Sequence, residues 1–411
     1  MPPSVEIHAK VTLPALGKEF RPPPEGLFAH PPEIERFSAR VSLKGSSPSI
    51  PAVPSPSRCK LRRGHPRPPN AGRAHMTFLY RTLVLATVLA LPCAGARADV
   101  AVDACVGDPI VDWSSQPRTV ERLQIAYVNE IFERLDHAMS CLSSSTRRFA
   151  GGESAPSAIY FVFRSKSPFM GTLEARARRT AAWNAQTGST FVEFALLRQG
   201  YDAAWTVRGD AYAQSVSPEK FRAFYGELAE LESRMMAASP KLRDTAIWHN
   251  LMLSTLLDQQ HPRSDPKAVF VSAVQRFPQY YDFQDVMLGK LLPRWGGSWP
   301  DVDTFVTQWA RNTAGSEGDY LYSWLYVSVL RRSTRASETM LDPKRMDRSL
   351  REWVRRYPTP ENFNIIASAA CEIDDRDLFR EVYGRLAEAE VKPSTWLYYS
   401  QREPCVARYI K

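Results

Sequence analysis

Several signals of catalysis and metal binding are missing from this chain of 411 residues. It has no C-x-x-C pair, which argues against a zinc knuckle or a redox dithiol. It also has no Gly-rich phosphate loop and no G-x-S-x-G nucleophile elbow. Only three histidines follow residue 98, namely His137, His249 and His261, and His249 has no second histidine or carboxylate four residues on. We therefore expect no cofactor, and we favour binding over catalysis.

A long apolar run is missing as well. The run from Thr82 to Leu91 has about ten residues, whereas a membrane-spanning helix needs ~20. A basic segment starting at Met76 precedes this run, and an A-x-A sequence ending at Ala98 follows it, as in a secretory signal peptide. The sequence thus predicts a signal peptide over 76–98, cleavage after Ala98, a periplasmic or secreted location, and no stable membrane span.

Residues 1–75 contain Pro-rich segments at 21–24 and 51–56 and have no periodic apolar face, so we expect them to be disordered. Because a signal peptide works only at the start of a chain, translation is predicted to begin at Met76. The alternative is a genuine disordered extension with a role of its own.

The mature part has no excess of positive charge. The first 98 residues hold 14 Lys or Arg against 5 Glu, which leaves 39 residues of each sign from totals of 53 basic and 44 acidic. The net charge of +9 therefore belongs to residues 1–98. No Lys/Arg-rich run interleaved with aromatics follows residue 98, so we predict no nucleic-acid partner.

Four cysteines remain in the mature part: Cys105, Cys141, Cys371 and Cys405. An even number in an exported chain favours disulfides over a metal site, and four cysteines allow three connectivities. We predict the local pairs, Cys105 with Cys141 and Cys371 with Cys405, because each loop of about 35 residues then closes around one or two helices. Each bridge would stabilise the fold by roughly 3–4 kcal/mol.

Helical periodicity dominates the mature part. Apolar residues recur at steps of three and four from 119 to 141 and predict one amphipathic helix. Residues 159–163 are rich in β-formers, but we predict a buried helix because no partner strand is visible nearby. From about residue 172, Gly, Pro and Ser breaks separate segments of roughly ten to twenty residues, the lengths expected for antiparallel helical hairpins.

Three junctions, at 237–240, 276–278 and 356–358, end a helix just before a proline, as expected at the turn between stacked helices. No fixed repeat period can be assigned. We predict an all-α fold, an irregular tetratricopeptide-like stack of antiparallel helical hairpins (an α-solenoid). Residues 99–170 would form an N-terminal helical cap with a disulfide, and 171–411 the helical-repeat domain.

Two short motifs are the most specific parts of the sequence: A-W-T-V-R-G-D at 204–210 and L-L-P-R-W-G-G-S-W at 291–299. Together with Trp183, Tyr280, Tyr281 and Cys371, their W-x-x-R-G and P-R-W-G-G-S patterns resemble a bacterial domain-of-unknown-function family built of tetratricopeptide-like helices. The resemblance covers roughly residue 181 to the end, through short motifs only. It implies an α-helical repeat fold in bacteria and brings no catalytic residue with it.

The candidate binding residues are Trp205, Arg208, Asp210, Arg294 and Trp295. In a functional interpretation the indole rings and guanidinium groups line a peptide or ligand groove. In a structural interpretation, which we favour, the tryptophans pack between repeats and the arginines bond to helix-end carbonyls. A shared site requires the two motifs to meet in space. The tripeptide 208–210 also matches a cell-adhesion sequence, but three residues are too few to count.

Local roles are predicted for several other residues. Gly209 should cap the helix that contains Trp205, and Ser298 should be the N-cap of the next helix. The acidic pair Asp301 and Asp303 should complement a helix dipole, and the acidic residues at 374–377 should stabilise a turn. Two carboxylates distant in sequence could still form a glycosidase-like pair.

We predict that the chain is an exported helical-repeat protein that serves as a protein- or peptide-binding scaffold in the bacterial envelope. The first alternative is an enzyme of undetected class that acts on cell-wall glycans or peptides. The second is a purely structural partner in an envelope complex.

Overall fold

The computed structural model describes Cys105 and residues 107–164, 170–211, 213–332 and 334–410. The predicted leader (1–75) and signal peptide (76–98) lie outside the described residues. Within these ranges the chain forms sixteen α-helices and no β-strand, which confirms the all-α prediction. The helices are α1 (Gln116–Val128), α2 (Phe132–Ser144), α3 (Ala155–Val162), α4 (Leu173–Thr187), α5 (Thr190–Arg208), α6 (Pro218–Met236), α7 (Pro240–Arg243), α8 (Ala246–Asp258), α9 (Pro266–Arg276), α10 (Asp282–Leu291), α11 (Trp299–Glu317), α12 (Tyr320–Leu330), α13 (Pro343–Arg356), α14 (Pro360–Glu372), α15 (Arg376–Tyr383) and α16 (Arg402–Tyr409).

The predicted single helix over 119–141 is wrong, because the structure divides it into α1 and α2. Glu130 takes φ 59°. Its N–H donates to the Tyr127 carbonyl at 3.2 Å, and the Ile131 N–H donates to the Ala126 carbonyl at 2.9 Å. These two bonds form a Schellman motif that satisfies the last carbonyls of α1. A glutamate rather than a glycine holds the positive φ, so the sequence carried no visible helix stop.

The predicted helix at 159–163 is confirmed, since α3 covers all but its last residue and the segment contains no strand. Most helix starts follow the capping rules. In eleven helices a Ser, Thr or Asp side chain at the N-cap accepts a backbone N–H. These N-caps are Ser115, Thr172, Ser189, Ser217, Ser239, Thr245, Asp265, Ser298, Asp342, Thr359 and Asp375. The predicted N-cap role of Ser298 is therefore confirmed.

Helices α9 and α13 share their start, their end and their buried positions. Each begins with the sequence D-P-K, in which the N-cap Asp265 or Asp342 accepts the lysine N–H at 3.0 Å. Each ends in an Arg, an aromatic residue and a proline, and Phe277 (φ −128°, ψ 64°) and Tyr357 (φ −132°, ψ 67°) have nearly the same conformation. Counted back from these ends, the matching buried residues are Phe270, Ala273 and Val274 in α9 and Leu350, Trp353 and Val354 in α13.

Helix α8 joins the two hydrophobic cores of the described residues. Its residues from Ala246 to Leu257 are all buried. One face, which includes Ile247 and Leu251, packs in a core built from residues 105–256; the other, which includes Leu253, packs in a core built from residues 246–409. A helix buried all round is expected in the middle of a helical stack. Asp258, its last residue, therefore lies where the two cores meet.

Contacts between helices link near neighbours along the chain. Helix α8 contacts both α9 and α10, and α10 contacts both α11 and α12. Helix α12 is buried on both faces, since Tyr320, Tyr322 and Tyr326 are all buried. Contact with the next helix and with the next but one is what stacked hairpins produce. The tetratricopeptide-like stack itself stays a prediction.

The two disulfides are Cys105–Cys141 and Cys371–Cys405, as the local pairing predicted. Their Cα–Cα distances are 5.4 and 6.0 Å, inside the usual range for a disulfide. The first ties the chain before α1 to α2, and the second ties the end of α14 to α16. No helix within the described ranges combines the length and the apolar character that crossing a membrane requires.

Candidate functional site

Two aromatic residues of α5 converge on one carboxylate at the end of α8. The Tyr201 hydroxyl donates to Oδ2 of Asp258 at 2.6 Å, and the Trp205 indole N–H donates to the same oxygen at 3.2 Å. They lie four residues apart in α5, so their side chains project from one face of the helix. Burial and the Asp258 carboxylate raise the pKa of Tyr201 well above its usual range, so the hydroxyl remains a donor.

The other oxygen of Asp258 binds a cation from α10. Lys290 Nζ lies 2.8 Å from Oδ1 of Asp258, and only 17 % and 12 % of these side chains is exposed. The same ammonium group lies 4.6 Å from the centre of the Trp295 ring, within range of a cation–π interaction. Asp258 and Lys290 therefore bring the 204–210 and 291–299 motifs together. We call Tyr201, Trp205, Asp258, Lys290 and Trp295 the Asp258 cluster.

A second group of polar side chains continues the cluster towards α3. The Arg198 guanidinium lies 5.1 and 5.0 Å from the centres of the Tyr160 and Tyr201 rings and binds Asp202 at 2.8 Å. Its Nη1 donates to the Tyr160 hydroxyl at 3.4 Å. The Tyr160 hydroxyl is also 3.4 Å from the Ser254 hydroxyl of α8. Aromatic rings and charged side chains are thus linked by successive contacts from α3 through α5 and α8 to α10.

Arg208 has a structural environment. Only 2 % of the residue is exposed, and its Nη1 donates to the carbonyls of Gly209 and Ala211 at 3.0 and 3.3 Å, just past the end of α5. Its guanidinium lies 5.1 and 5.5 Å from the centres of the Trp205 and Phe221 rings. Burial lowers its pKa. These contacts match the structural interpretation of this arginine.

The burial of Arg208 also decides the role of its neighbours. An adhesion tripeptide must present its arginine to a receptor, so 208–210 does not act as one in this conformation. Asp210 is exposed, and its charge acts on the Arg208 guanidinium. Gly209 ends α5 with φ 81° and ψ 173°. It is the predicted cap, but its ψ lies outside the left-handed helical region.

Arg294 binds the backbone just beyond the end of another helix. Its Nη1 donates to the Arg332 carbonyl at 2.8 Å, just beyond α12. Burial lowers the pKa of Arg294, and the Arg332 guanidinium adds to this effect. Arg294 therefore also matches the structural interpretation. It is not among the residues that join Trp205 to Trp295.

His249 and three of the acidic residues have local roles. His249 is buried, with Nδ1 2.9 Å from the Thr245 carbonyl, and burial lowers its pKa. Asp301 lies in the first turn of α11 and accepts the Ser298 hydroxyl at 2.6 Å. Asp375 is the N-cap of α15, and Asp374 before it has φ 62°. In the part of the chain that the structure describes, no group of three His, Cys, Asp or Glu could hold a metal ion.

Sequence reasoning missed Asp258 and Lys290, the two residues that join the motifs. Tyr201 and Arg198 could have been found, because they lie four and seven residues before Trp205 and so share its face of α5. No comparable signal marks Asp258 or Lys290. Each is an ordinary charged residue at a helix end, and its role depends on how α5, α8 and α10 pack.

Comparisons of the chain with protein-family models, with curated proteins and with solved structures each return no match.

Proposed function

We propose that this chain is an exported bacterial helical-repeat protein that binds a protein or peptide partner in the cell envelope, with the Asp258 cluster as the centre of its binding surface. One observation carries the proposal. The two most specific motifs of the sequence, at 204–210 and 291–299, meet at one largely buried ion pair. A role in local packing alone gives no reason for both motifs to meet there.

The chemistry of the cluster suits an extended polypeptide. Trp and Tyr offer apolar faces together with N–H and O–H groups, and such residues dominate the energetics of protein interfaces. Asp258 and Lys290 offer one charge of each sign at the same place. A charged side chain of the peptide could replace Lys290 beside Asp258, or Asp258 beside Lys290. Apolar groups of the peptide would then cover Trp205 and Trp295.

The proposal includes the repeat architecture and the resemblance to the tetratricopeptide-like family. The shared caps, ends and buried positions of α9 and α13 support a degenerate repeat. The contacts of α8 and α10 with the next helix and the next but one also support it. Repeat proteins of this kind commonly bind peptides on the surface formed by successive helices.

An exported location is supported by the signal-like sequence at 76–98 and by the two disulfides, because disulfides persist in oxidising compartments. Cell fractionation of chains started at Met1 and at Met76 tests this part. We expect the Met76 form in the periplasm or medium, with Asp99 as its first residue by mass spectrometry. An uncleaved protein confined to the cytoplasm would contradict it.

The binding proposal is tested with the oxidised full chain as bait for a displayed library of random peptides. Selected peptides are then titrated against wild type, Lys290→Met and Trp295→Ala by calorimetry. Loss of the ammonium group or of the ring should weaken binding at least about tenfold, which corresponds to about 1.4 kcal/mol.

The exposed Lys267 of α9 provides the matched control. Lys267→Met removes the same charge outside the cluster and should bind the peptides like wild type. If the library yields no specific peptide, or if Lys290→Met and Lys267→Met bind equally well, the Asp258 cluster is not a peptide-binding surface.

A further inference from the structure

Only one edge of the Arg294 guanidinium has a hydrogen-bond acceptor among the described residues. Its Nη1 donates to the Arg332 carbonyl at 2.8 Å, whereas Nε and Nη2 are buried and have no partner there. The Nε–H bond and one Nη2–H bond of a guanidinium run parallel, and this pair binds two oxygens of a carboxylate or a phosphate side by side. Arg294 thus carries a complete oxyanion-binding edge with both donors unpaired.

The surroundings of Arg294 differ from those of Arg208, the arginine of the other motif. Burial lowers the pKa of Arg208, but the carboxylates of Asp258 and Asp210 oppose this shift. Burial also lowers the pKa of Arg294, and there the like charge of Arg332 lowers it further. A buried donor without a partner is unfavourable, and more so on a charged group. Arg294 therefore has the stronger need for an anion.

Arg332 brings a second guanidinium to the end of α12. Only 5 % of this residue is exposed. Its Nη1 donates to the Ser328 carbonyl at 2.6 Å, and its Nη2 donates to Oδ1 of Asp285 at 2.9 Å. A Cβ on Gly289 of α10 would lie 3.7 Å from Nη2, so the group packs directly on that helix. Arg332 is therefore fixed in place, and its backbone carbonyl in turn holds Arg294.

Positive charge exceeds negative charge where Arg294 contacts Arg332. Asp285 is the carboxylate that binds Arg332, and Arg294 forms no ion pair with a described residue. Arg331 has an acceptor elsewhere, since its Nη2 donates to the Thr395 carbonyl at 3.2 Å. Burial lowers the pKa of Arg331 to about 10, Asp285 opposes the shift and Arg332 adds to it, so Arg331 is a cation at neutral pH. Even without Arg331, two guanidinium groups share one carboxylate.

The other charged groups of the flanking segments leave this excess in place. Burial raises the pKa of Asp282, one turn before Asp285, to about 7, and the Asp285 carboxylate adds to the shift, so Asp282 is largely neutral below that pH. Glu338 is exposed, where water and salt screen its charge. The remaining ion pairs contain one charge of each sign: Lys290 with Asp258, and Arg335 with Glu372.

We propose that Arg294, held by Arg332, is a binding site for an oxyanion, a carboxylate or phosphate group whose two oxygens accept the Nε–H and Nη2–H bonds of Arg294. The anion would satisfy both donors and offset the excess positive charge. Because the Arg332 carbonyl already orients the guanidinium, little side-chain freedom remains to be lost on binding. Both nitrogens are buried, so the anion reaches them by a local displacement of the adjacent turn, in which Gly296 is exposed.

This site goes beyond the Asp258 cluster and does not require it. The same oxyanion group has two sources: a carboxylate, free or on a bound peptide, and a phosphate. The two sources are separated by small probes, sodium acetate and sodium phosphate, in the absence of any peptide. Failure of the peptide-binding proposal would therefore leave this test unaffected.

Thermal unfolding of the oxidised full chain tests the site, with sodium chloride at the same ionic strength as the reference. At about pH 6, where Asp282 is largely neutral, a saturating oxyanion should raise the unfolding temperature by at least about 2 °C relative to chloride. A response to acetate shows that a carboxylate is sufficient. A response to phosphate alone assigns the site to a phosphate group.

Two matched variants separate the site from a general effect of salt. Arg294→Lys keeps the positive charge and a donor for the Arg332 carbonyl, but it has no parallel pair of donors. It should lose the shift in unfolding temperature. Arg311→Lys, at an exposed position in α11, should keep the full shift.

A further variant acts in the opposite direction. Asp285→Asn keeps an acceptor for Arg332 but removes its counter-charge, and it is made in the Asp282→Asn background so that residue 282 stays neutral. Compared with that background, the anion concentration that gives half of the maximal shift should fall at least about threefold.

The oxyanion site is refuted if acetate and phosphate stabilise wild type no more than chloride does. It is also refuted if Arg294→Lys keeps the same shift as Arg311→Lys. If Arg294→Lys does not fold, the Asp285→Asn comparison decides, and an unchanged half-maximal concentration would overturn the proposal.

Discussion

Trp205 and Lys290 bind the two oxygens of one carboxylate: the indole N–H donates to Oδ2 of Asp258 at 3.2 Å, and the ammonium group lies 2.8 Å from Oδ1. Because Lys290 also covers the Trp295 ring, the contact connects α5, α8 and α10 with the turn after α10. Its charges lie where the two hydrophobic cores meet. The contact should therefore contribute to stability as well as to any binding.

The first prediction concerns the stability of this contact. Asp258→Asn keeps an acceptor for Tyr201 and Trp205 but leaves the largely buried Lys290 without its counter-charge, so it should lower the free energy of unfolding by roughly 2–3 kcal/mol. The double variant Asp258→Asn, Lys290→Met removes both charges and should recover at least about 1 kcal/mol of that loss. Urea unfolding measures both. Equal stability of the two variants would show that the charges do not interact.

The second prediction compares two glycines of the specific motifs. A Cβ on Gly297 would overlap the Leu291 carbonyl, whereas a Cβ on Gly209 would meet no atom within 4 Å. Gly297→Ala should therefore displace the turn that carries Trp295 and lower stability by more than about 2 kcal/mol. Gly209→Ala should cost about 1 kcal/mol, because only its positive φ disfavours a side chain. Thermal unfolding of both variants shows which one loses more stability. A larger loss in Gly209→Ala than in Gly297→Ala would contradict the geometry.

The third prediction concerns pH and global stability. The folded-state pKa of Asp282, about 7, lies above its ordinary value of 3.8, so its contribution to stability is full below about pH 4. The contribution should decline as pH rises and be lost above about pH 7, at about 1.4 kcal/mol per pKa unit. Asp282→Asn should remove this decline.

The measurement is the difference in unfolding free energy between Asp282→Asn and wild type across this pH range. Other carboxyl groups titrate in both proteins, so their contributions cancel in the difference. The variant should gain stability relative to wild type as pH rises. A difference that stays constant with pH would show that Asp282 titrates normally.

The fourth prediction concerns the disulfides. Replacing both cysteines of either pair with alanine should lower stability by roughly 3–4 kcal/mol, because each bridge closes a loop of similar length, with sequence separations of 36 and 34 residues. Peptide mapping without reduction should find Cys105 linked to Cys141 and Cys371 linked to Cys405. Any crossed linkage would contradict the connectivity.

Features that depend on local chemistry were predictable from the sequence. The all-α fold followed from apolar periodicity, the N-cap Ser298 from its side-chain acceptor, and the helix boundaries near Pro278 and Pro358 from the restrictions of proline. The stop after α1 was missed because Glu130 takes a positive φ that glycine usually adopts. The Schellman bonds and the packing around them outweigh the conformational preference of that residue.

The candidate site was predictable only in part. Trp205 and Trp295 were identified from their motifs, but the residues that connect them are distant in sequence and have no motif of their own. Arg208 and Arg294 were candidate binding residues because of their guanidinium groups, but each donates to a backbone carbonyl just beyond the end of a helix. A periodic pattern shows which face of a helix a residue occupies, whereas the partner of that face depends on tertiary packing.

The central claim is that the 204–210 and 291–299 motifs form one binding surface, and a double-mutant cycle on ligand affinity tests it most directly. Affinities of a selected peptide would be measured for wild type, Trp205→Phe, Trp295→Ala and the double variant, each checked for folding by circular dichroism. If both tryptophans act through the Asp258–Lys290 pair, each single variant should weaken binding. The loss of binding free energy in the double variant should then differ from the sum of the two single losses by at least about 0.5 kcal/mol. Losses that add independently, or wild-type affinity in either single variant, would contradict a shared surface.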